Sequence, residues 1–236
     1  FPYTTLFRSQ LHVRGEHNGL QYRLNGVILP EGISVFGQTL NPRLISSMQL
    51  ITGALPAEYG LRTAAIIDLA TRNGMQEQGG DISIYGGSHG TIQPSFDYGG
   101  SAGNFSYFVS GDFMQNKLGI ESPDGSGTPL HDVTNQYHGF AYLEDILDDH
   151  SRITAVLGTS NDRFEIPNRR GLEPDLGLTV NGQTDFLSSD LDERQRELTH
   201  FGIASYQRSQ GAFDFQVSGT LRYSSLTFTP DAVGDL

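Results

Sequence analysis

From residue 80 onward, apolar and polar residues alternate. Phe213, Phe215, Val217, Gly219, Leu221 and Tyr223 fall on one face of an extended chain, and Asp214, Gln216, Ser218, Thr220 and Arg222 fall on the other. A period of two held over so long a run predicts a β-strand with two unlike faces. Phe105, Tyr107, Val109, Gly111 and Phe113 repeat the pattern opposite Asn104, Ser106, Ser110 and Asp112, with Phe108 as the exception. Ile153, Ala155 and Leu157 do the same, and Asp81–Tyr85 alternates over a shorter run. Strands are predicted at 80–88, 91–100, 103–116, 135–147, 150–163, 196–208 and 211–228. Strands of soluble proteins run to about 5–6 residues, whereas tilted strands that cross a bilayer need about 9–11. The predicted strands have the second length, and Phe105, Phe113, Phe213 and Tyr223 near their ends suit interfacial girdles. Alternation alone fits a large soluble sheet as well. The connections at 99–103, 147–150 and 208–211 are short, whereas 117–134 and 164–195 are long and polar. Short turns at one rim and long loops at the other are a porin-like arrangement. An odd strand count predicts a segment that does not close as a barrel by itself.

Residues 11–74 read differently, as a small mixed domain of α+β type. Leu11–Gly15 predicts a short strand, and Asn25-Gly26 between Tyr22 and Leu29 a tight turn. Asn41-Pro42 resembles a helix start, predicting a short helix over Pro42–Ser47 and a strand over Met48–Thr52. Ala57–Gly60 reads as a turn with Gly60 free to take positive φ, and Ala65–Thr71 as another strand. Residues 1–10 are out of character with the rest of the chain, resemble a translated sequencing adapter, and read as a non-native leader. The chain as a whole reads as a fragment of a larger parent.

Composition narrows the chemistry. Glycine makes up 29 of the 236 residues, without the every-third-residue period of collagen. Zero cysteine excludes disulfides, thiolate metal sites and a cysteine nucleophile. Fifteen basic against 27 acidic residues give a net charge of -12, which argues against a nucleic-acid partner. No apolar run is long enough for a transmembrane helix, a fact that leaves a barrel open. No phosphate loop, zinc-protease pair, dinucleotide fingerprint or nucleophile elbow occurs, so neither an enzyme nor a cofactor is expected. His89, His131, His138 and His200 have no metal-ligand spacing, and Glu144, Asp145, Asp148, Asp149 and His150 read as a solvated acidic turn.

Taken in order, several short segments resemble the TonB-dependent outer-membrane receptors. His12–Gly15 is similar to an early plug strand and turn of that family. Leu24-Asn-Gly-Val27 is similar to its Asp-Gly-Val/Ile turn, with Asn25 in place of Asp. Leu44–Gly53 is similar to the segment where a helix leads into a Glu-Val-x-x-Gly strand, and Ala57–Gly60 to a Tyr-Gly turn. Ala64–Arg72 is similar to the Gly-Gly-x-Ile-Asn-Ile-x-Thr-Lys ending, with alanines for both glycines, Asp68 for Asn and Arg72 for Lys.

The resemblance implies a plug domain inside an antiparallel transmembrane β-barrel of about 22 strands. Residues 11–74 would then be a partial plug and 80–236 the first part of the barrel, about seven strands. Arg14, Gly15, Asn25, Gly26, Gly53, Glu58, Tyr59, Gly60 and Arg72 would be structural plug residues, charged ones pairing across a hydrated seam with a polar wall. Asp112, Asp214 and Arg222 would face the lumen, and Asp124, Asp132, Arg169 and Arg170 would be exposed extracellular contacts for ligand. The implied role is energy-coupled uptake of a siderophore–iron complex, a vitamin such as cobalamin, or a glycan. The implied partners are outer-membrane lipid and the TonB complex, the latter through a plug box lacking here. The parent would be a monomeric barrel in the outer membrane of a Gram-negative bacterium, without catalytic residues, cofactor or bound metal. The competing expectation is a secreted β-rich binding or adhesion module.

Overall fold

The structure, a computed structural model, describes residues 20–29, 40, 42–53, 59–60, 65–120, 130–167, 179, 182 and 190–231. The predicted strand at 11–15, the leader at 1–10, and Arg14, Gly15, Glu58, Asp124, Arg169 and Arg170 lie outside the described residues. Two β-sheets make up the described fold. Strands β1 (Leu20–Leu24), β2 (Val27–Ile28), β3 (Ile45–Ile51) and β4 (Ala65–Thr71) form the smaller, in the order β2-β1-β4-β3. β1 runs parallel to β4, and the other pairings are antiparallel. Strands β5 (Gly79–Gly86), β6 (Ile92–Ala102), β7 (Phe105–Asn116), β8 (Thr134–Asp148), β9 (Ser151–Glu165), β10 (Arg194–Gln210) and β11 (Phe213–Thr229) form the larger, an antiparallel meander in chain order. All seven long strands expected from the alternation are present, several of them longer than expected. The sheet is open, with β5 and β11 at its edges.

Its two rims differ. Two-residue turns at Gly103-Asn104, Asp149-His150 and Gly211-Ala212 close one rim, and Gly103 and Gly211 supply the positive φ such turns need. The other rim carries the connections 87–91, 117–133 and 166–193.

The small sheet departs from the expected α+β character. Pro42–Leu44 form a 3-10 turn, and no α-helix occurs among the described residues. The strand begins at Ile45 rather than Met48, with a bulge between Ile45 and Ser47. Ser46 Oγ donates to the carbonyls of Ala70 and Thr71 across that irregularity. Hydrogen bonding to the neighbouring strand thus outcompetes the helix that Asn41-Pro42 would start.

Burial shows which way the larger sheet faces. Ser95, Asp97, Ser106, Ser110, Gln136, Thr154, Ser160, Asp162, Glu197, Thr199 and Ser205 are buried on the face toward the small sheet. Phe96, Tyr98, Tyr137, Ile153, Leu157, Val217 and Leu221 are exposed on the opposite face, and Leu221 reaches 82% exposure. The polar face is inside and the apolar face outside.

One apolar island interrupts the inner face. Phe108, Phe140, Tyr142, Val156, Phe201 and Ile203 pack there against Leu24, Val27, Leu44, Ile67 and Leu69 of the small sheet. Phe108, the exception in its strand's alternation, belongs to this island and is 1% exposed. Gly158 makes room for it: a Cβ there would sit 2.1 Å from the Phe201 ring. Gly158→Val is therefore expected to destabilise the chain by about 1–3 kcal/mol, since a close-packed ring must move. Urea unfolding in detergent micelles measures this, and an unchanged midpoint would contradict the packing described.

Candidate functional site

An open cleft at the short-turn rim is lined by Asp148, His150, Ser151, Arg152, Arg208 and Asp214; the arrangement that joins the two sheets is the seam between them. On one flank of the seam lies Asp97, on the inner face of β6. Two guanidinium groups converge on this carboxylate, Arg43 Nη1 at 3.4 Å from Oδ2 and Arg72 Nη1 at 3.8 Å from Oδ1. Arg43 comes from the 3-10 turn that the bulge re-aims, and Arg72 from the residue after β4. Arg43 Nη2 also donates to Ser83 Oγ at 2.6 Å, and Ser83 and Ser95 share a hydrogen bond of 2.7 Å. Arg72 in addition pairs with Glu77 at 3.2 Å and lies 5.7 Å above the Phe108 ring. Asp97 is buried, while both arginine side chains keep about a third of their surface in solvent, at 37% and 32%.

The connector from β4 to β5 is seated beside these pairs. A Cβ on Gly74 would lie 2.1 Å from the Tyr107 carbonyl, and one on Gly99 would lie 2.0 Å from the Glu77 carbonyl. Only glycine permits backbone to approach backbone this closely. Asn73 Oδ1 accepts from the amides of Met75 and Gln76, shaping the turn that brings the chain there.

The turn Asn25-Gly26 closes the far end of the seam. Both residues take positive φ, 51° and 79°, as a tight two-residue hairpin turn requires. Asn25 is bound to β4 three times: its Nδ2 donates to Thr71 Oγ1, its Oδ1 accepts from Thr71 N, and its backbone amide donates to the Leu69 carbonyl. Gln216 Nε2 of β11 donates to the Asn25 carbonyl at 3.4 Å. A Cβ on Gly26 would meet Gln216 Oε1 at 3.3 Å. Gly53 and Gly60 also take positive φ, 103° and 69°, and the Tyr59 ring lies 4.5 Å below the Arg23 guanidinium.

Several expectations change here. The seam is not a uniformly polar contact, because the island around Phe140 and Phe201 is apolar and buried. Asp132, expected at an exposed ligand-binding position, is 1% exposed, and its Oδ1 accepts from Ile120 N. Its place just before β8 pulls it into the rim. Glu144, grouped with a solvated acidic turn, is buried and accepts from Tyr142 Oη at 2.9 Å. Asp148 does sit in that turn, at the short-turn rim. The Ser151 hydroxyl, then the His150 amide, bond to its carboxylate and hold it below the usual range. Asp112 lies inside, 3.1 Å from His138 Nδ1, and His138 Nε2 faces Asp162 at 3.6 Å. Arg43 and Asp97 carry no signal in the sequence that marks them for the seam. Arg43 sits inside the expected helix, and Asp97 looks like any alternating polar residue.

The chain matches no protein-family model and no curated protein. The geometry therefore carries the functional argument alone.

Asp97→Asn keeps the shape of the side chain and removes the charge that both arginines share. With the guanidinium groups partly solvated, a loss of about 1–2 kcal/mol is expected. Amide exchange over residues 43–51 is then expected to quicken by roughly tenfold, with little change in β9 and β10. Unaltered exchange in β3 would show that Asp97 does not hold the two sheets together.

Proposed function

We propose that this chain is part of an outer-membrane receptor of the TonB-dependent type. In this reading β1–β4 belong to a plug and β5–β11 to the wall of a barrel. The single observation that carries the reading is the inverted sheet, polar and buried toward the small sheet, apolar and exposed away from it. In water an apolar face of that extent costs free energy in proportion to its area; in hydrocarbon it costs nothing. Strand length supports the same environment. β8 and β9 have 15 residues and β10 and β11 have 17, beyond the roughly 9–11 that a tilted strand needs to cross. A sandwich-type binding module would turn Phe215, Val217 and Leu221 inward, away from the solvent that meets them here.

The seam supports the same reading. A plug held by buried apolar contacts, two partly solvated ion pairs and one hairpin turn is fixed against thermal motion. It can still be displaced by a directed pull, because each contact is separately modest. TonB would supply that pull at the cost of the proton-motive force, and a ligand seated above the plug would pass along the polar face. No covalent bond changes in this cycle.

Two neighbouring substitutions test the orientation. Leu221→Arg places a charge on the lipid side, where the cost is about 2–4 kcal/mol near the midplane. Thr220→Arg places the same charge on the lumen side, beside Arg222. Association with lipid vesicles, scored by flotation and by protease protection, is expected to fall strongly for the first and little for the second. Equal effects, or the reverse order, would contradict the reading.

A further inference from the structure

Resting on the reading of β5–β11 as a membrane wall, we propose that Arg163 and Arg196 form a docking site for the phosphate of a membrane lipid in the leaflet at the long-loop rim. The two residues are directly opposed on β9 and β10. Both are exposed, on the face that carries Leu157 and Leu221. Like charges set directly across a strand pair cost stability, and an anion that meets both guanidinium groups relieves that cost.

Strand register gives the pair its setting. Gln115, Asn135, Arg163, Arg196 and Thr227 are opposed in turn and make one row across five strands. The row is polar and holds no carboxylate. Gln115 Nε2 donates to Asn135 Oδ1 at 2.8 Å. Arg196 Nε donates to Asn161 Oδ1 at 3.0 Å, which uses one of its five N–H donors. Two residues nearer the middle of the strands, the next row begins with Phe113 and Tyr137, whose rings lie 4.7 Å apart. The row after it ends in His200 and Tyr223, which stack at 6.3 Å. Val109, Ala141, Leu157 and Leu221 follow. Basic, aromatic and apolar rows therefore succeed one another, in the order of headgroup, interface and hydrocarbon.

Depth agrees with that order. Arg163 is six residues from Leu157, about 20 Å along the strand and about 14 Å along the bilayer normal at a tilt of about 45°. Half of a hydrocarbon core about 30 Å thick is about 15 Å, so the arginines reach headgroup level when Leu157 sits near the midplane.

The neighbouring acids are engaged elsewhere. Glu165 Oε2 accepts from Val133 N at 2.9 Å, and Asp192 pairs with Arg194 at 2.6 Å. At the other rim the same face exposes Asp145, and Arg208 lies 3.9 Å from Asp148. The phosphate site therefore belongs to the long-loop rim. A phosphate accepting from both guanidinium groups turns their repulsion into charge-assisted hydrogen bonds, and the Thr227 hydroxyl adds a donor in the same row. The acyl chains then run down the same face over Leu157 and Leu221, contacts that free phosphate does not make.

The test uses the chain folded in micelles of a neutral detergent. Phosphatidic acid and diacylglycerol with the same acyl chains are compared as ligands by native mass spectrometry, and inorganic phosphate is supplied alone in a parallel melting series. Phosphatidic acid is expected to bind about fivefold tighter than diacylglycerol or more, and less tightly as salt rises. Arg163→Gln and Arg196→Gln are each expected to weaken its binding by about fivefold, and Arg208→Gln, at the other rim, to leave it unchanged. Arg196→Gln serves where Arg163→Gln fails to fold. Without lipid, Arg163→Gln is expected to melt no lower than the unaltered chain; with phosphatidic acid it is expected to melt lower, a reversal that a purely structural arginine would not give. The proposal is overturned if the two lipids bind equally or if Arg208→Gln weakens binding as much as Arg163→Gln. It is also overturned if inorganic phosphate alone raises the melting temperature as far as phosphatidic acid does. A chain that separates Leu221→Arg from Thr220→Arg yet gives any of these results keeps the receptor reading and loses only the lipid site.

Discussion

A slip of one residue between β10 and β11 would put Phe215, Val217 and Leu221 against the small sheet and send Gln216, Ser218 and Thr220 outward. The two-residue turn at Gly211-Ala212 and the unlike faces of the strands oppose that slip over the 17 opposed pairs from Arg194↔Thr229 to Gln210↔Phe213, and β9, β8, β7 and β6 continue the ladder. Register is therefore the constraint on which the other features depend. It decides that serines, threonines and carboxylates face inward. It places Asp97 where two arginines reach it, and His138 between Asp112 and Asp162.

The inner face does two jobs in different places. Its middle, around Phe140 and Phe201, is apolar and buried and holds the small sheet by burying apolar surface, an interaction that ionic screening does not weaken. Its flanks are polar. On one flank the Arg43–Asp97–Arg72 pairs meet partial solvent and weaken as ionic strength rises. On the other, His138 lies between Asp112 and Asp162 inside the wall. A seam of this mixed kind seats the small sheet in one position through the island and the hairpin turn. The screened ion pairs add modest strength at its edge.

Much of this was legible in the residues. The seven long strands could be read because a period of two is a local property of the chain, and Asn25-Gly26 because a tight turn needs two residues that tolerate positive φ. The parallel pairing of β1 with β4 could not be read, since it joins segments about forty residues apart with no local marker. The small-sheet helix failed for a related reason. Pro42 starts a turn, but Ser46 finds its partners on β4, outside any window of sequence. The island was hidden in single residues: Phe108 looked like an irregularity, and only its neighbours across the sheet give it a role. Asp132 looked exposed because a polar residue between a Gly-rich loop and a strand usually is, whereas here the rim closes over it.

The central claim is that the long sheet turns its apolar side to lipid and its polar side to water. Because the chain contains no cysteine, single cysteines can be placed one at a time along 214–223 and labelled with a nitroxide. With the labelled chain in lipid vesicles, relaxation by oxygen reports hydrocarbon and relaxation by a polar nickel chelate reports water. Labels at 215, 217, 219 and 221 are predicted to respond to oxygen, and those at 214, 216, 218, 220 and 222 to the chelate. A uniform response along the strand, or an alternation of opposite phase, would contradict the account.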